Sequence, residues 1–545
     1  MEGIPINGTR VIILILVFLV CFPCALLADD TTAKTIRSFT LEQKVGQILM
    51  IGFHNKSLSK KDISLLRKIR PGGIVFYARN FGSVSDLHPL IEEIKKVLED
   101  EALPVFFAID QEGGIVHRIE GEQYKPPSAP AIGAANSEDI AMEVGFAVGG
   151  ALKSLGINVN LAPVLDMPAD IQHSTMTLRS FSNKPEIAAR LGVAYLKGLR
   201  KAGVLSVAKH FPGIGRASGD THETLLHVVW NTDQEKENDM MPFMSAIKAG
   251  VDMLMAGHVI AEPGDTSRPV SLSLYWLHDV LRKEKGFRGL VLADNIEMKP
   301  VQEMMDIGTA AVESFQAGAD IIMVSHEQKN QATVFEALLK GFEKGTLSHE
   351  RLEESILRIV QAKKIIRDSR VHEEKPGDLR SIVKTVHERS VIALRLKDTP
   401  PFDFKHHESI LYVGFNTVLF DALKTLFKKA EMMNSSSGKY QAMNFRNPVD
   451  QFIKRFDIVL IDSNYPDISE LISLCDRLAM HYIIFQNRVN GMENTLETIK
   501  PKAVIVLLDS AKYSCRIAAE IIRGVRKTSG ILPFQIPSAA FYTLF

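Results

Sequence analysis

A (β/α)8 barrel followed by a smaller α/β sandwich domain with a parallel sheet is the fold this 545-residue sequence predicts. Three observations carry the prediction. Short, almost wholly apolar runs alternate with longer stretches of helical periodicity, the pattern of a parallel sheet covered on its outside by helices. Eight such units fall within roughly 330 residues, the repeat and length of a closed βα barrel. Titratable residues stand at the ends of these runs, where a barrel gathers its strand-to-helix loops on one face.

The chain opens with "MEGIPINGTRVIILILVFLVCFPCALLADD": one basic residue, Arg10, an apolar run over 11–20, and small residues before Asp29. This order is that of a secretory signal cleaved after Ala28, so residues 1–28 are expected to direct export. An uncleaved segment associating with the membrane is the competing reading, although the run is shorter than the ~20 residues a span needs. Lipid attachment at Cys21 or Cys24 is a third, weakened by the bulky residues before each. Of the 4 cysteines the exported chain would keep Cys475 and Cys515. Two cysteines make neither a disulfide framework nor a metal cluster, leaving one bridge or two buried thiols.

Residues 29–370 are expected to form the barrel. Its strands are read at 47–53, 72–77, 104–110, 157–166, 205–210, 252–258, 289–294 and 319–325, with amphipathic helices such as 87–101 and 187–203 between them. Residues 371–405 read as a helix and linker, the linker beginning at "KDTPPFDFKHHES" (397–409). Residues 406–545 are expected to fold as the second domain on apolar runs at 409–416, 457–463, 482–487 and 503–509. Those runs end in few reactive groups, so this domain is assigned to support or partner binding. The 64 basic and 64 acidic residues cancel and are scattered. That excludes a nucleic-acid footprint and a polybasic membrane patch, and favours a neutral or weakly charged small substrate.

Asp110, Asp166, Lys209, His210, His258 and Asp294 each fall at or just past the end of a buried run. One such residue is ordinarily a helix cap; six at the ends of five runs indicate a site. The stretch "KHFPGIGRASGDTH" (209–222) is the densest. Lys209 and His210 close a strand, "PGIG" forces a loop, and Asp220 and His222 share a face on extended backbone. An Asp beside a His fixes one ring tautomer and makes the other nitrogen a proton donor and acceptor near neutral pH. Asp294, with no basic neighbour in sequence, suits a carboxylate nucleophile. A retaining glycosidase needs such a carboxylate and, about 5 Å away, a group that protonates the leaving oxygen.

The motifs "AIDQEGG" (108–114), "NLAPVLDM" (160–167), "LRSF" (178–181), "KHFPG" with "DTH" (209–222), "MLMAGHV" (253–259) and "GFRGLVLADNIEM" (286–298) occur in an order that resembles family-3 glycoside hydrolases, specifically the bacterial β-N-acetylglucosaminidase branch. The resemblance covers roughly residues 40 to 370, and "SGILPFQIP" (529–537) is similar to the ending of two-domain members. It implies that Asp294 is the nucleophile, His222 the acid/base and Asp220 its orienting partner. It further implies that Asp110, Arg179, Lys209 and His210 hold a terminal N-acetylglucosamine of a glycan or cell-wall muropeptide, with no metal or other cofactor. The sequence departs from the family where Ile214 and Arg216 stand in place of His and Asp, and Ile115 in place of Arg. Two other readings stay open within these motifs. A related enzyme could act on a β-glucoside or cleave with phosphate, since a His acid/base does not repel an anionic acceptor. An exported sugar-binding protein could keep the pocket without turnover, against which the Asp220 and His222 pair speaks.

Overall fold

A computed structural model of the protein describes residues 38–100, 103–171, 174–217, 219, 223–368, 375–396, 407–414, 416–433, 453–464, 468–478, 480–487, 503–508, 512–522 and 542–544. The N-terminal segment, Asp220 and His222 therefore lie outside the described residues. Among the described residues no helix is long and apolar enough to cross a membrane.

The eight expected barrel runs are the eight strands of a closed barrel, all parallel. They are β1 (Leu49–Ile51), β2 (Gly73–Phe76), β3 (Phe106–Ile109), β4 (Val159–Asn160), β5 (Leu205–Phe211), β7 (Met253–Ala256), β9 (Leu290–Ala293) and β10 (Ile321–Val324). Every residue in them is buried, as a sheet filled from inside and covered from outside requires. The register decides which residues emerge side by side at the strand ends: Phe76 pairs with Ile109 and Ala256 with Ala293, so Tyr77 emerges beside Asp110 and Gly257 beside Asp294. Several helices enter on side-chain caps. Thr40 and Ser59 form capping boxes with Gln43 and Asp62, satisfying amide donors that the first turn leaves unpaired.

Two strands with no counterpart among the expected runs, β6 (Leu226–Val229) and β8 (Val259–Glu262), pair in parallel outside the barrel. The first of them begins shortly after residues 220–222.

The second sheet is built from β11 (Ile392–Leu396), β12 (Ser409–Val413), β13 (Lys429–Met433), β14 (Ile458–Asp462), β15 (His481–Asn487), β16 (Ala503–Leu507) and β17 (Tyr542–Leu544), in the order β13-β12-β14-β15-β16-β11-β17. It is mixed rather than wholly parallel, because β11 pairs antiparallel with both β16 and β17. β11 lies in the stretch read as helix and linker. Its run, "IALRL", carries Arg395, so it lacks the continuous apolar signature by which buried strands are recognised. Alternate residues of this sheet face two cores. Ile410, Tyr412, Leu460 and Phe485 join a cluster private to the second domain, while Leu411, Val413, Ile461 and Ile484 join the cluster that runs through the barrel. Cys475 and Cys515 are both buried, with no disulfide between them.

At the opposite end of the barrel from the loops, fully buried Asp320 precedes β10 and gathers Arg282, Arg351 and Arg358 from two outer helices. It also accepts from Ser355 Oγ at 2.8 Å and from the Val291 amide of β9 at 2.9 Å. Burial alone would raise this carboxyl's pKa, but the three guanidinium groups outweigh it and hold it below the usual range. Asp320→Asn leaves these cations without their counter-charge and is expected to cost about 3–5 kcal/mol, read as a fall in the urea midpoint. A loss under ~1 kcal/mol would show that the cluster is not a structural staple.

Candidate active site

The carboxyl ends of β2, β3, β5, β9 and β10 converge on a pocket of about 740 Å³. Opposite charges alternate along one wall. Lys209, 2% exposed, places Nζ 2.7 Å from both Asp110 Oδ1 and Glu112 Oε1. Glu112 also receives Arg179 Nε at 2.8 Å and Nη2 at 2.7 Å, a two-pronged pair, and Asp110 Oδ2 receives Arg118 Nη2 at 3.2 Å. Burial opposes charge on Glu112, but Arg179 and Lys209 prevail and hold it well below the carboxylate range. Lys209 and Arg118 do the same for Asp110 against its burial. Burial alone would lower the Lys209 pKa; the two carboxylates raise it instead. Arg118 Nε is buried with no hydrogen-bond partner among the described residues, a donor that a ligand oxygen could satisfy.

His210 is oriented from beneath. Its Nδ1 lies 2.7 Å from Asp166 Oδ2, and that carboxylate, fully buried, also accepts from the His210 amide at 3.0 Å and from the Ile214 amide at 2.8 Å. Nδ1 therefore donates, and in the neutral ring Nε2 is the acceptor left for the pocket. The peptide between Lys209 and His210 is cis.

Asp294 stands on the facing wall. The Asn295 amide donates to its Oδ1 at 2.7 Å, and among the described residues it makes no ion pair. The backbone beside it is fixed by His258, whose Nε2 donates to the Asn295 carbonyl at 3.0 Å while Nδ1 lies 2.6 Å from Ser271 Oγ. Burial lowers the His258 pKa and keeps the ring neutral, which suits it to one donor and one acceptor contact. Tyr77 bonds Ser325 Oγ at 2.7 Å, and burial lifts its phenol far above the ordinary range. His326 receives Arg79 Nη2 on Nδ1 at 3.0 Å; a guanidinium only donates, so Nε2 carries the ring proton.

Of the residues the sequence points to, Asp110, Arg179, Lys209, His210 and Asp294 line this one pocket. Asp166 and His258 sit behind it as supports for His210 and Asn295. Asp220 and His222 fall outside the described residues. Glu112, Tyr77, Arg118 and His326 line the pocket without having been singled out by sequence reasoning. Glu112 was accessible in principle, because it lies two positions from Asp110 and residues so spaced share a face. Tyr77 ends a recognised run, whereas Arg118 and His326 carry no local signal.

The departing loop residues have definite places. Ile214 is 4% exposed and belongs to the main core, its Cγ2 close against Gly257. Gly215 is pressed so tightly on Met167 that a Cβ would lie 2.2 Å from its carbonyl oxygen. Arg216 reaches helix Asp233–Lys248, with Nε 2.9 Å from Asp239 Oδ2 and Nη1 3.4 Å from Glu235 Oε1. Trp230 Nε1 donates to the same Asp239 oxygen at 2.9 Å. Ile115, 52% exposed, points away from the core.

Residues 40–362 match the model of the glycosyl hydrolase family 3 N terminal domain. The chain is 31% identical over 364 residues to beta-hexosaminidase A of Pseudoalteromonas piscicida, covering 59% of this chain and 61% of that one. It is 30% identical over 336 residues to a beta-hexosaminidase of Nitrosomonas eutropha, covering 60% of this chain and 95% of the relative. The structure of a family 3 beta-N-acetylglucosaminidase from Paenibacillus sp. superposes with a TM-score of 0.77 at 28% identity, over 92% of this chain and 99% of that one.

Glu112→Gln is expected to weaken both the pocket and the fold. Its lowered native pKa means that its contribution to stability is fully present above the unfolded carboxyl value of about 4.3 and lost as pH falls through the native value. Urea unfolding from pH 7 to pH 3 should therefore show the wild type's advantage over Glu112→Gln constant above about pH 5 and shrinking below it. A difference independent of pH would assign the effect to packing alone.

Proposed function

The chain belongs to glycosyl hydrolase family 3, and from that premise we propose that it is an exo-acting β-N-acetylglucosaminidase that works with net retention on cell-wall fragments or related glycans. The observation that carries this reading is the division of one pocket into a charge-paired wall and a facing carboxylate that makes no ion pair among the described residues. The wall of Asp110, Lys209, Arg179 and His210 offers donors and acceptors suited to the hydroxyls of a terminal sugar. Asp294 attacks the anomeric carbon as the bond to the leaving oxygen breaks, and that oxygen takes a proton from His222. His222, held in one tautomer by Asp220, then removes a proton from water, which displaces Asp294 and returns the sugar with its original configuration. The names of the relatives support an N-acetylhexosamine in the first subsite. The segment 1–28 supports action outside the cytoplasm.

Three measurements test the proposal. The protein lacking residues 1–28 should release 4-nitrophenol from the β-N-acetylglucosaminide at ~10-fold or greater kcat/KM over the β-glucoside, and the reverse order would overturn the sugar assignment. Asp294→Ala should lose about 10⁴-fold in kcat with an unchanged circular dichroism spectrum, and near-normal turnover would remove the nucleophile. With phosphate added, free N-acetylglucosamine should stay the main product; accumulation of the sugar 1-phosphate would make the enzyme a phosphorylase.

A further inference from the structure

We infer that His326, on the loop after β10, is a specificity-determining residue whose Nε2 donates a hydrogen bond to an oxygen of a sugar on the leaving side of the scissile bond. The inference rests on the nucleophilic role proposed above for Asp294, and it adds to that reading the class of leaving group.

His326 is held at its amide, its Nδ1 and its ring. The amide donates to Glu297 Oε2 at 2.6 Å, Nδ1 accepts from Arg79 Nη2 at 3.0 Å, and the ring centroid lies 5.2 Å from that of Tyr77. The holders are themselves fixed. Arg79 donates from Nε to the Phe53 carbonyl at 3.2 Å and from Nη2 to the Ser325 carbonyl at 3.1 Å, and Glu297 Oε1 accepts from the Glu327 amide and from Asn330 Nδ2, each at 2.9 Å. With Nδ1 accepting, the ring proton is on Nε2, and that atom has no hydrogen-bond partner among the described residues. Burial and the neighbouring guanidinium lower the pKa of this imidazole, so it stays neutral, its acceptor spent on Arg79 and its donor unspent. A donor immobilised on a pocket wall by its surroundings, yet unused by them, is pre-organised for a ligand oxygen.

Strand register puts that donor on the leaving side. Ile322 of β10 pairs with Ala293 of β9, so Met323 falls beside Asp294 and His326 lies three residues further toward the mouth of the pocket. The Ile296 amide on the Met323 carbonyl, at 3.0 Å, keeps the two segments together beyond the strands. Asp110, Lys209 and Arg179 already supply the first sugar with partners, and an exo-acting pocket sends the rest of the glycan out through its mouth. His326 therefore meets what lies beyond the cleaved bond. Met298 and Met323 line the same side, and adaptable apolar contact with a single fixed donor suits the face and one edge oxygen of a pyranose.

A hydrogen bond to the leaving sugar is made by an oligosaccharide and missed by a phenyl glycoside, which has no acceptor oxygen beyond the scissile bond. His326→Phe keeps a ring against Tyr77 and removes the donor. It should lower kcat/KM for N,N′-diacetylchitobiose by about 10-fold and for phenyl β-N-acetylglucosaminide by no more than ~3-fold. His326→Gln, whose amide nitrogen reaches close to the place of Nε2, should recover most of the selectivity. Arg79→Met, which leaves the ring free to turn or exchange tautomers, should shift the ratio in the same direction, and adding it to His326→Phe should shift it little further, as expected for two parts of one contact. Equal losses on both substrates, or an unchanged ratio in His326→Phe, would overturn the inference. If His326→Phe does not fold, His326→Ala compared with His326→Gln decides by the same ratio. The parent enzyme and Asp294→Ala separate the two layers. Cleavage of both substrates by the parent, with a ratio that the His326 variants leave unmoved, refutes the role of His326 alone. Cleavage of neither, or near-normal turnover in Asp294→Ala, refutes the reading beneath it and the inference with it.

Discussion

A buried ammonium that must be met by two carboxylates is the constraint on which the pocket depends. Lys209 on β5 is 2% exposed, and burying its charge without partners would cost several kcal/mol. Asp110 and Glu112, from the end of β3, supply the counter-charges, and Arg179 balances the second of them. The arrangement stands only if three separate stretches arrive together. Gly113 and Gly114 make this feasible: both have positive φ, and the turn they form returns Val116 so that its carbonyl accepts the Glu112 and Gly113 amides, each at 3.0 Å. Gly114 also lies where a Cβ would come within 2.8 Å of Ser128, whose hydroxyl donates to the Leu508 carbonyl just after β16. The second domain therefore braces the stretch that carries Glu112, although none of its described residues lines the pocket.

That dependence explains the contrast between the two walls. On the grip side every carboxylate is committed to a cation, so it accepts further hydrogen bonds as a fixed dipole and has little tendency to react. Asp294 is spared such neutralisation among the described residues, and its surroundings are organised through backbone instead: the Asn295 amide on its Oδ1, and His258 on the Asn295 carbonyl. A neutral imidazole there can hold the strand end without adding a positive charge beside the carboxylate. One charge pattern binds and the other leaves a nucleophile available, within a single pocket.

Much of this is legible in the sequence because barrel strands are buried on both faces and announce themselves as continuous apolar runs. The end of each run then locates the loop face, which is how Asp110, Lys209, His210 and Asp294 can be placed together from their positions in the chain. Arg179 follows a 3-10 turn rather than a strand, and family likeness alone points to it. Arg118 and His326 are invisible at that level, since their positions follow from turns with no periodicity. The mixed second sheet escapes for a similar reason: β11 and β17 lie together at one side of it, and a parallel run gives no sign of an antiparallel neighbour.

The two substitutions in the loop after β5 bear on each other physically. The carboxylate of Asp166 already receives Nδ1 and the amide of His210 and the amide of Ile214, so little of its accepting capacity is left for a further imidazole at position 214. An isoleucine there needs no partner, packs against Gly257, and gains roughly 1.5–3 kcal/mol from burial. Apolar packing holds position but sets direction poorly, whereas a forked guanidinium sets both. Ile214 on the inner side and Arg216 on the outer side thus divide the task of holding the loop, one by filling space and one by directed charge. Orientation on the outer side of the loop therefore rests on the pair made by Arg216 and Asp239.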